Sequence, residues 1–447
     1  METWKVIVFG GGQAGINMLE RIKPYVICVA DNDTAKQGVP LLGIPIISAT
    51  QIADYEFDAI LIASICEAEI KDQLIKMGYG DKIISNGHTC PSALEKNVKA
   101  VQFFLDLNKP ILRTMHLNLT SACNINCRIC RPPNNKKPQY LSKKMIENIV
   151  EDVFDDLTHL RLDSAGELTL SSHLEYVLNE AKKRNISVFI STNGTLIDEK
   201  MAELFVSSSA EHIQVSLDSA DKETNEWIRN GAKHEDILQG VKNLVTAKKK
   251  FGKESLRIDF HGAILQQNIH HLKDIVHLAH TIGINGVSFA YGYIGAHMES
   301  DWSIFFDRVL SNEKVFQAQA YAKKIDLLFN APIPFFQTER TIPDDKYCPY
   351  LFNWTYINPD GGVSPCCTGT EFLAGNIKSE KMSNIWLNER YQKLRETYKT
   401  AKPVYDKCSR CYLLTGWDVD DYKVHFHPNH WPEVEKRLGI NSQGKNE

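Results

Sequence analysis

Cys123, Cys127 and Cys130 stand in the stretch Thr120-Ser-Ala-Cys-Asn-Ile-Asn-Cys-Arg-Ile-Cys130. The spacing Cys-x3-Cys-x2-Cys offers three thiolates on one short loop. Three thiolates on a four-iron, four-sulfur cluster leave one iron without a protein ligand, and an open iron can take the amino and carboxylate groups of a small molecule. The loop therefore points to chemistry more than to electron storage. The alternative is a structural zinc knuckle. Zinc closes its shell with four ligands, and no Cys or His follows nearby to complete such a set.

A second set lies toward the C-terminus: Cys348, Cys366 and the pair Cys408-Ser-Arg-Cys411, with Cys367 an adjacent spare. Four thiolates can saturate a four-iron cluster, and the same four also suit zinc. Cys28, Cys66 and Cys90 sit in or near apolar segments and read as packing residues. The start of the chain reads directly as a strand, with no signal-peptide pattern and no apolar run of membrane-spanning length. The expectation is a cytoplasmic protein whose clustered cysteines bind metal rather than form disulfides.

The 447 residues, 43% hydrophobic and 24% charged, exceed one ordinary domain. A formal net charge of −4 gives no basic excess for nucleic acid or an anionic membrane. The run Lys248-Lys249-Lys250 suits the solvated last turn of a helix, where cations oppose the dipole.

The elements that must position these cysteines follow from hydrophobic patterning. Trp4–Phe9, Tyr25–Ala30 and Ala59–Ala63 read as buried strands of an N-terminal unit over residues 1–95. Between the first strand and a helix, Gly10, Gly12 and Gly15 fit G-x-G-x-x-G, where backbone N–H groups can meet a phosphate. Asp31 ends the second strand, where an acid can bind a ribose hydroxyl. The glycines would equally serve tight strand–helix packing. Residues 96–112 read as a linker. Strands Thr114–Thr120, Leu160–Ser164, Ser187–Asn193, His212–Asp218, Arg257–Leu265 and Gly286–Gly292 then alternate with helices such as Ser142–Asp156, Leu174–Arg184, Ile237–Lys250 and His271–Ile282. Six βα units predict an α/β fold with a parallel sheet, open or curled into a partial barrel, and ligands at the C-terminal strand ends. The cysteine loop leaves the first of these strands at that end. His116, Asn118 and Thr120 share one strand face, as do Asp259 and His261. They predict either a polar lumen or a buried hydrogen-bond network. Tyr291, Tyr293 and His297 follow as substrate contacts or core.

The segment with Val8-Phe-Gly-Gly-Gly-Gln-Ala-Gly15, Ala30-Asp-Asn-Asp33, Leu42-Gly-Ile-Pro45 and Asp58–Ala63 resembles the small Rossmann-like domain of sugar acetyltransferases and other bacterial polysaccharide-biosynthesis proteins. That resemblance implies a nucleotide or nucleotide-sugar pocket. Over residues 113 to 292 the chain strongly resembles the radical S-adenosylmethionine (radical SAM) enzymes. Cys123, Cys127 and Cys130 match the cluster loop, although Ile129 replaces the usual aromatic residue. Ser164-Ala-Gly-Glu167 matches the Gly-Gly-Glu motif, Thr192-Asn-Gly-Thr-Leu196 the third-strand motif, Val215-Ser-Leu-Asp218 the fourth and Ile228-Arg-Asn-Gly231 a following loop. The resemblance implies that Gly166 and Glu167 receive the methionyl ammonium, that Asn193 lies near the ribose, and that Ser216 and Arg229 hold the carboxylate. Cys348, Cys366, Cys408 and Cys411 resemble the ligands of a SPASM or twitch extension. With no cysteine beyond Cys411, one auxiliary [4Fe-4S] cluster fits better than two. The expected organisation is a Rossmann-like domain at 1–95, a partial (β/α)6 TIM-type barrel at 113–335, a SPASM/twitch-like domain at 336–420 and a tail at 421–447.

The resemblance implies reductive cleavage of S-adenosylmethionine, with electrons from a ferredoxin- or flavodoxin-type reductant, and hydrogen abstraction from a substrate. A small polar substrate (sugar, nucleotide-sugar or aminocyclitol) and an oxidoreductase-type dehydrogenation are expected, with epimerisation less well supported because no opposite-face hydrogen donor stands out. The alternatives are a peptide-modifying maturase and, from another class, a non-catalytic iron–sulfur sensor reading a nucleotide.

Overall fold

In a computed structural model, residues 4–64, 67–84, 110–130, 137–163, 166–336, 348, 350–366, 372–399 and 418–440 are described. Cys66, Cys90, Cys367, Cys408, Cys411, Ser164, Ala165 and most of the expected linker lie outside them. The chain divides into two compact units, one built mainly from residues 1–111 and one from 112–343 with most of the remaining C-terminal chain.

The first unit is a five-stranded parallel sheet. Strands β1 (Val6–Phe9), β2 (Val26–Ala30), β3 (Ile46–Ile47), β4 (Ala59–Ile62) and β5 (Ile83–Ile84) lie in the order β3-β2-β1-β4-β5. Helices α1 (Gln13–Ile22) and α2 (Glu67–Lys76) connect them. Every residue of β1 and β4 is buried, as expected for a parallel sheet covered on both faces. The strand order reverses beside β1, so the Gly10–Gly15 turn opens at a crevice where such sheets hold ligands.

The second unit is built on a ten-stranded sheet. Six parallel strands run in sequence order: β6 (Thr114–Leu117), β7 (His159–Asp163), β8 (Ser187–Thr192), β9 (Ala210–Ser216), β10 (Arg257–Ile264) and β11 (Gly286–Tyr291). Between them lie α3 (Lys143–Val153), α4 (Leu174–Lys183), α5 (Glu199–Ser207), α6 (Lys222–Ile228), α7 (His234–Lys250) and α8 (Leu272–Ile282). Ser142, Asp198 and Asp221 cap α3, α5 and α6 by accepting a backbone N–H three residues on. Leu160, Leu162, Val188, Ile190, Ile213, Val215, Ile258 and Phe260 form the buried layer against these helices. After α9 (Arg308–Lys324), a seventh parallel strand, β12 (Leu328–Asn330), pairs with β11.

The other end of the sheet is extended by the C-terminal region. After the short helix α10 (Tyr350–Asn353), β13 (Trp354–Ile357) lies parallel to β6. β14 (Gly362–Ser364) and β15 (Gly375–Asn376) continue antiparallel, and α11 (Met382–Leu387) and α12 (Glu389–Lys399) follow. Of the segment expected as a tail, the described residues 421–440 are folded: they include α13 (Trp431–Leu438), and Phe426 and Val434 are fully buried. Among the described residues no helix is long and apolar enough to cross a membrane.

Candidate active site

Strand β6 delivers the cysteine loop, and a hydroxyl turns the chain at its start. Thr120 Oγ1 accepts the Ala122 N–H at 2.9 Å and donates to the Gln139 carbonyl at 3.0 Å. The loop is then tied to three other connections of the barrel. From the β7 connection, Glu167 N–H donates to the Ala122 carbonyl at 2.6 Å. A Cβ on Gly166 would sit 1.9 Å from that carbonyl oxygen, so only glycine permits this approach. From the end of β8, Asn193 Nδ2 donates to Asn124 Oδ1 at 2.9 Å and points at Cys123 Sγ, 3.9 Å away. Asn124 Nδ2 donates in turn to Thr195 Oγ1 at 2.8 Å. From the loop after α6, the Asn230 and Ile228 carbonyls accept the N–H groups of Asn126 and Arg128 at 2.8 and 2.9 Å.

Cys123 and Cys130 are exposed and Cys127 is half-buried. Burial pushes the Cys127 thiol up to about 11, with the Arg229 guanidinium opposing and the Cys130 sulfur and Asp218 adding to it. Burial raises Cys123 as well, aided by the Glu167 and Cys130 charges. Cys123 and Cys127, which resist ionisation, suit a cationic centre that replaces their protons. The set fits a three-thiolate iron–sulfur site.

The residues matched to the methionyl group are built into the same corner. Glu167 is 2% exposed, and both carboxylate oxygens are engaged within the protein. Oε1 accepts from Thr192 Oγ1 at 2.7 Å and from Thr169, while Oε2 accepts the Asn193 N–H at 2.7 Å. Burial raises its pKa against those hydrogen bonds. Glu167 therefore clamps the ends of β7 and β8 together beside the cysteine loop. Arg229 Nε pairs with the fully buried Asp218 at 2.8 Å. Asp218 Oδ1 accepts the Ala263 N–H at 2.8 Å, which fixes the pair to β10. Ser216 is half-buried at the end of β9, in register with His261.

The inward strand face is polar in layers. His116, Arg161, Phe189, His212 and Arg257 are successive register partners, and the next layer holds Asp163, Ser191, Gln214 and Asp259. His116 pairs with Asp163, and its ring lies 4.3 Å from that of Tyr356. Arg257 pairs with Asp259, whose Oδ2 also lies 3.1 Å from His212 Nε2. Arg161 stacks 4.2 Å over Phe189. His116 and Asp259 thus belong to a buried network at the barrel floor, whereas His261, one layer nearer the mouth, is half-exposed. Asn118 is fully buried and Thr120 serves the loop turn. Tyr291 packs on Phe335, Tyr293 is 50% exposed, and His297 Nε2 lies 3.1 Å from the Arg128 carbonyl oxygen. Arg161, Asp163, His212 and Arg257 escape a reading that takes each strand alone. Their two-residue spacing with neighbours on the same face is the signal that finds them.

In the N-terminal unit, a cleft of about 490 Å³ is lined by Gly10, Gly12, Asp31, Asn32, Lys36 and Gln73 among others. A Cβ on Gly10 would lie 2.3 Å from the Ala63 carbonyl oxygen, and one on Gly15 1.9 Å from that of Gly10, so both glycines serve close packing. Gly12 faces open space. Asp31 Oδ2 accepts the Gly11 N–H at 2.6 Å and Oδ1 the Asp33 N–H at 2.8 Å. Asp31 thus shapes the glycine turn and also lines the cleft. Of the second cysteine set, Cys348 is buried and Cys366 half-buried, while Cys408 and Cys411 lie outside the described residues. Cys28 is fully buried, as a packing residue should be.

The chain matches the Radical SAM superfamily over residues 117–279, the SPASM iron–sulfur cluster-binding domain over 348–412 and the family "C2185-like, N-terminal" over 2–84. The tungsten-containing aldehyde ferredoxin oxidoreductase cofactor-modifying protein of Pyrococcus furiosus is 21% identical, over 69% of this chain and 89% of its own length. The mycofactocin maturase MftC of Mycolicibacterium smegmatis is 25% identical, over 66% of this chain and 75% of its own. Among solved structures, Streptococcus suis SuiB bound to S-adenosylmethionine shares the fold with a TM-score of 0.53 and 16% identity, covering 79% of this chain and 84% of SuiB. SuiB bound to its precursor peptide SuiA gives a TM-score of 0.51, with the same identity and coverage.

Proposed function

We propose, for a chain that carries a radical SAM domain followed by a SPASM iron–sulfur domain, that it is a radical SAM enzyme acting on a peptide, with Cys123, Cys127 and Cys130 as the ligands of its first cluster. These domains imply a [4Fe-4S] cluster, S-adenosylmethionine and auxiliary iron–sulfur binding. The observation that carries the reading is the loop of three thiols tied by hydrogen bonds to the strand ends that bear Glu167, Asn193 and Arg229. Bound there, the cluster supplies the electron for reductive cleavage of S-adenosylmethionine.

The chain's own residues supply placement. Gly166 and Glu167 bring backbone to the edge of the loop and stiffen the β7–β8 end. Asn193 orients Asn124 and the Cys123 sulfur. Asp218 holds Arg229 by its Nε, and a guanidinium so held presents its remaining donors in a fixed plane that suits a carboxylate. Ser216 and His261 face the lumen above the Asp259 network, where a substrate side chain would enter. In the C-terminal region, Cys348, Cys366, Cys408 and Cys411 would hold an auxiliary cluster.

A peptide substrate is favoured because MftC is named a maturase and SuiB is bound to a precursor peptide. This reverses the order drawn from sequence, where the Rossmann-like unit favoured a sugar-like molecule. The second reading is dehydrogenation of a small polar substrate, supported by the polar lumen layers and the N-terminal cleft. The two separate by anaerobic turnover of the reconstituted full chain. Synthetic peptides encoded by short reading frames beside its gene are compared with a panel of nucleotide-sugars. Mass change in a peptide is expected; change confined to a nucleotide-sugar overturns the peptide reading.

A further inference from the structure

Residues 418–438 fold back on the connection that follows β11, and that connection reaches the cysteine loop. The C-terminal segment is clamped at both ends. Asp420 pairs with Arg308 at 3.1 Å and accepts the Phe336 N–H at 2.8 Å, while Arg437 pairs with Asp301 and lies over the Phe306 ring. Between the clamps, Phe426 is fully buried and His425 2% exposed, in an aromatic cluster with Phe305, Phe335 and Tyr291.

From this anchored segment, three backbone-directed hydrogen bonds grip residues 294–295. Ile294 N–H donates to the His425 carbonyl at 2.8 Å, and the Ile294 carbonyl accepts the His427 N–H at 2.8 Å. The His430 ring bonds the Gly295 carbonyl at 2.9 Å. Two residues on, His297 Nε2 bonds the carbonyl of Arg128 at 3.1 Å. Arg128 lies between Cys127 and Cys130. Its other backbone group and its side chain are held by the α6 end, through Ile228 and Trp227. The peptide between the last two cysteines is thus gripped from two sides. One side is the barrel end at α6; the other is His297, 169 residues later in sequence, on the connection that the C-terminal segment holds.

We propose that the C-terminal segment acts through His297 as a brace on the cysteine loop, which makes His297 a positioning residue for the thiols at 127 and 130. This rests on the reading of that loop as the cluster site, but its test does not need the cluster. Because His297 engages a carbonyl, it must donate from Nε2, and an amide donor of similar reach replaces it in part.

The experiment is hydrogen–deuterium exchange on the metal-free full chain, read by mass spectrometry over peptides spanning 121–130 and 292–299. His297→Ala is expected to speed exchange at Asn126 and Arg128 by about five- to tenfold, the loss of one hydrogen bond, with β6 and β10 unchanged. His430→Ala is expected to speed exchange at 292–299 and, more weakly, at 121–130; His297→Gln is expected to restore part of the protection. After anaerobic reconstitution, His297→Ala should bind as much iron as wild type yet show an altered reduced-cluster paramagnetic resonance spectrum with S-adenosylmethionine. Unchanged exchange over 121–130 in His297→Ala overturns the brace, as does a His430→Ala variant that loosens 292–299 and leaves 121–130 untouched. If the wild-type chain binds no cluster, the functional reading falls, while the exchange data still decide the brace.

Discussion

At Gly166 and Glu167, one short turn meets two demands: it must touch the cysteine loop and must lock two strand ends together. The first demand is steric. Gly166→Ala places a methyl carbon 1.9 Å from the Ala122 carbonyl oxygen, so the loop must shift. Reconstituted Gly166→Ala is expected to retain less than half the iron of wild type at the first site by about the logic of a displaced ligand loop, and full iron content would contradict the contact's importance. The Asp259 network poses an electrostatic question. Burial pushes the Asp259 carboxyl up, but hydrogen bonds from His212 and Arg257 and the Arg257 charge outweigh it and hold it below the usual range. A carboxyl lowered on folding adds stability above its unfolded pKa and loses that contribution as pH falls through its native one. Asp259→Asn should therefore cost about 2 kcal/mol at neutral pH. The deficit against wild type should shrink as pH drops below about 4. Melting curves that stay parallel across that range would contradict the assignment. Much of this scale was legible. The cysteine spacing, Glu167, Asn193 and Arg229 stand in ordered motifs. What spacing alone could not show is which acceptors the protein keeps for itself, since Glu167 and Asp31 are engaged by backbone N–H groups of turns that close only in the fold.

Among the elements, strands β6 to β11 and most of the helices between them follow from alternating buried and inward positions. Others escaped notice for physical reasons. Helix α9 buries only Ser311, Val315, Ala318 and Ala322, small residues that leave a weak apolar stripe. Strand β12 is three residues long and mostly exposed. The chain beyond 421 looks like a tail because its apolar residues, Tyr422, Phe426, Trp431 and Val434 among them, are few and irregular. Phe426 joins a core only against Phe305 and Phe306, more than a hundred residues earlier. Phe426→Ala removes a fully buried ring from that cluster. It should destabilise the second unit by about 3–5 kcal/mol, read as a lowered denaturation midpoint. A change under about 1 kcal/mol would show that the segment is not part of the folded core.

For the whole molecule, the matches to a radical SAM domain and a SPASM domain on one chain imply iron in two places. With one auxiliary [4Fe-4S] cluster, anaerobic reconstitution should give about eight iron atoms per chain. About four iron atoms with zinc would assign the C-terminal cysteines to zinc instead. Cys408→Ala should keep uncoupled cleavage of S-adenosylmethionine and lose substrate modification; product formation at the wild-type rate would make that cysteine dispensable. Strand alternation predicts either a polar lumen or a buried hydrogen-bond network, and His116 and Asp259 lie in such a network. The small polar substrate expected from the sequence gives way to a proposed peptide, because a hydroxyl-rich cavity and a peptide side chain draw on the same polar residues.

On the proposed reading, Cys123, Cys127 and Cys130 leave one iron open to S-adenosylmethionine. It is tested most directly by 5′-deoxyadenosine release from the anaerobically reduced full chain, compared with Cys127→Ala. Release by wild type and none by Cys127→Ala is the predicted result. No release by the reduced wild-type chain, or equal release by both, would contradict it.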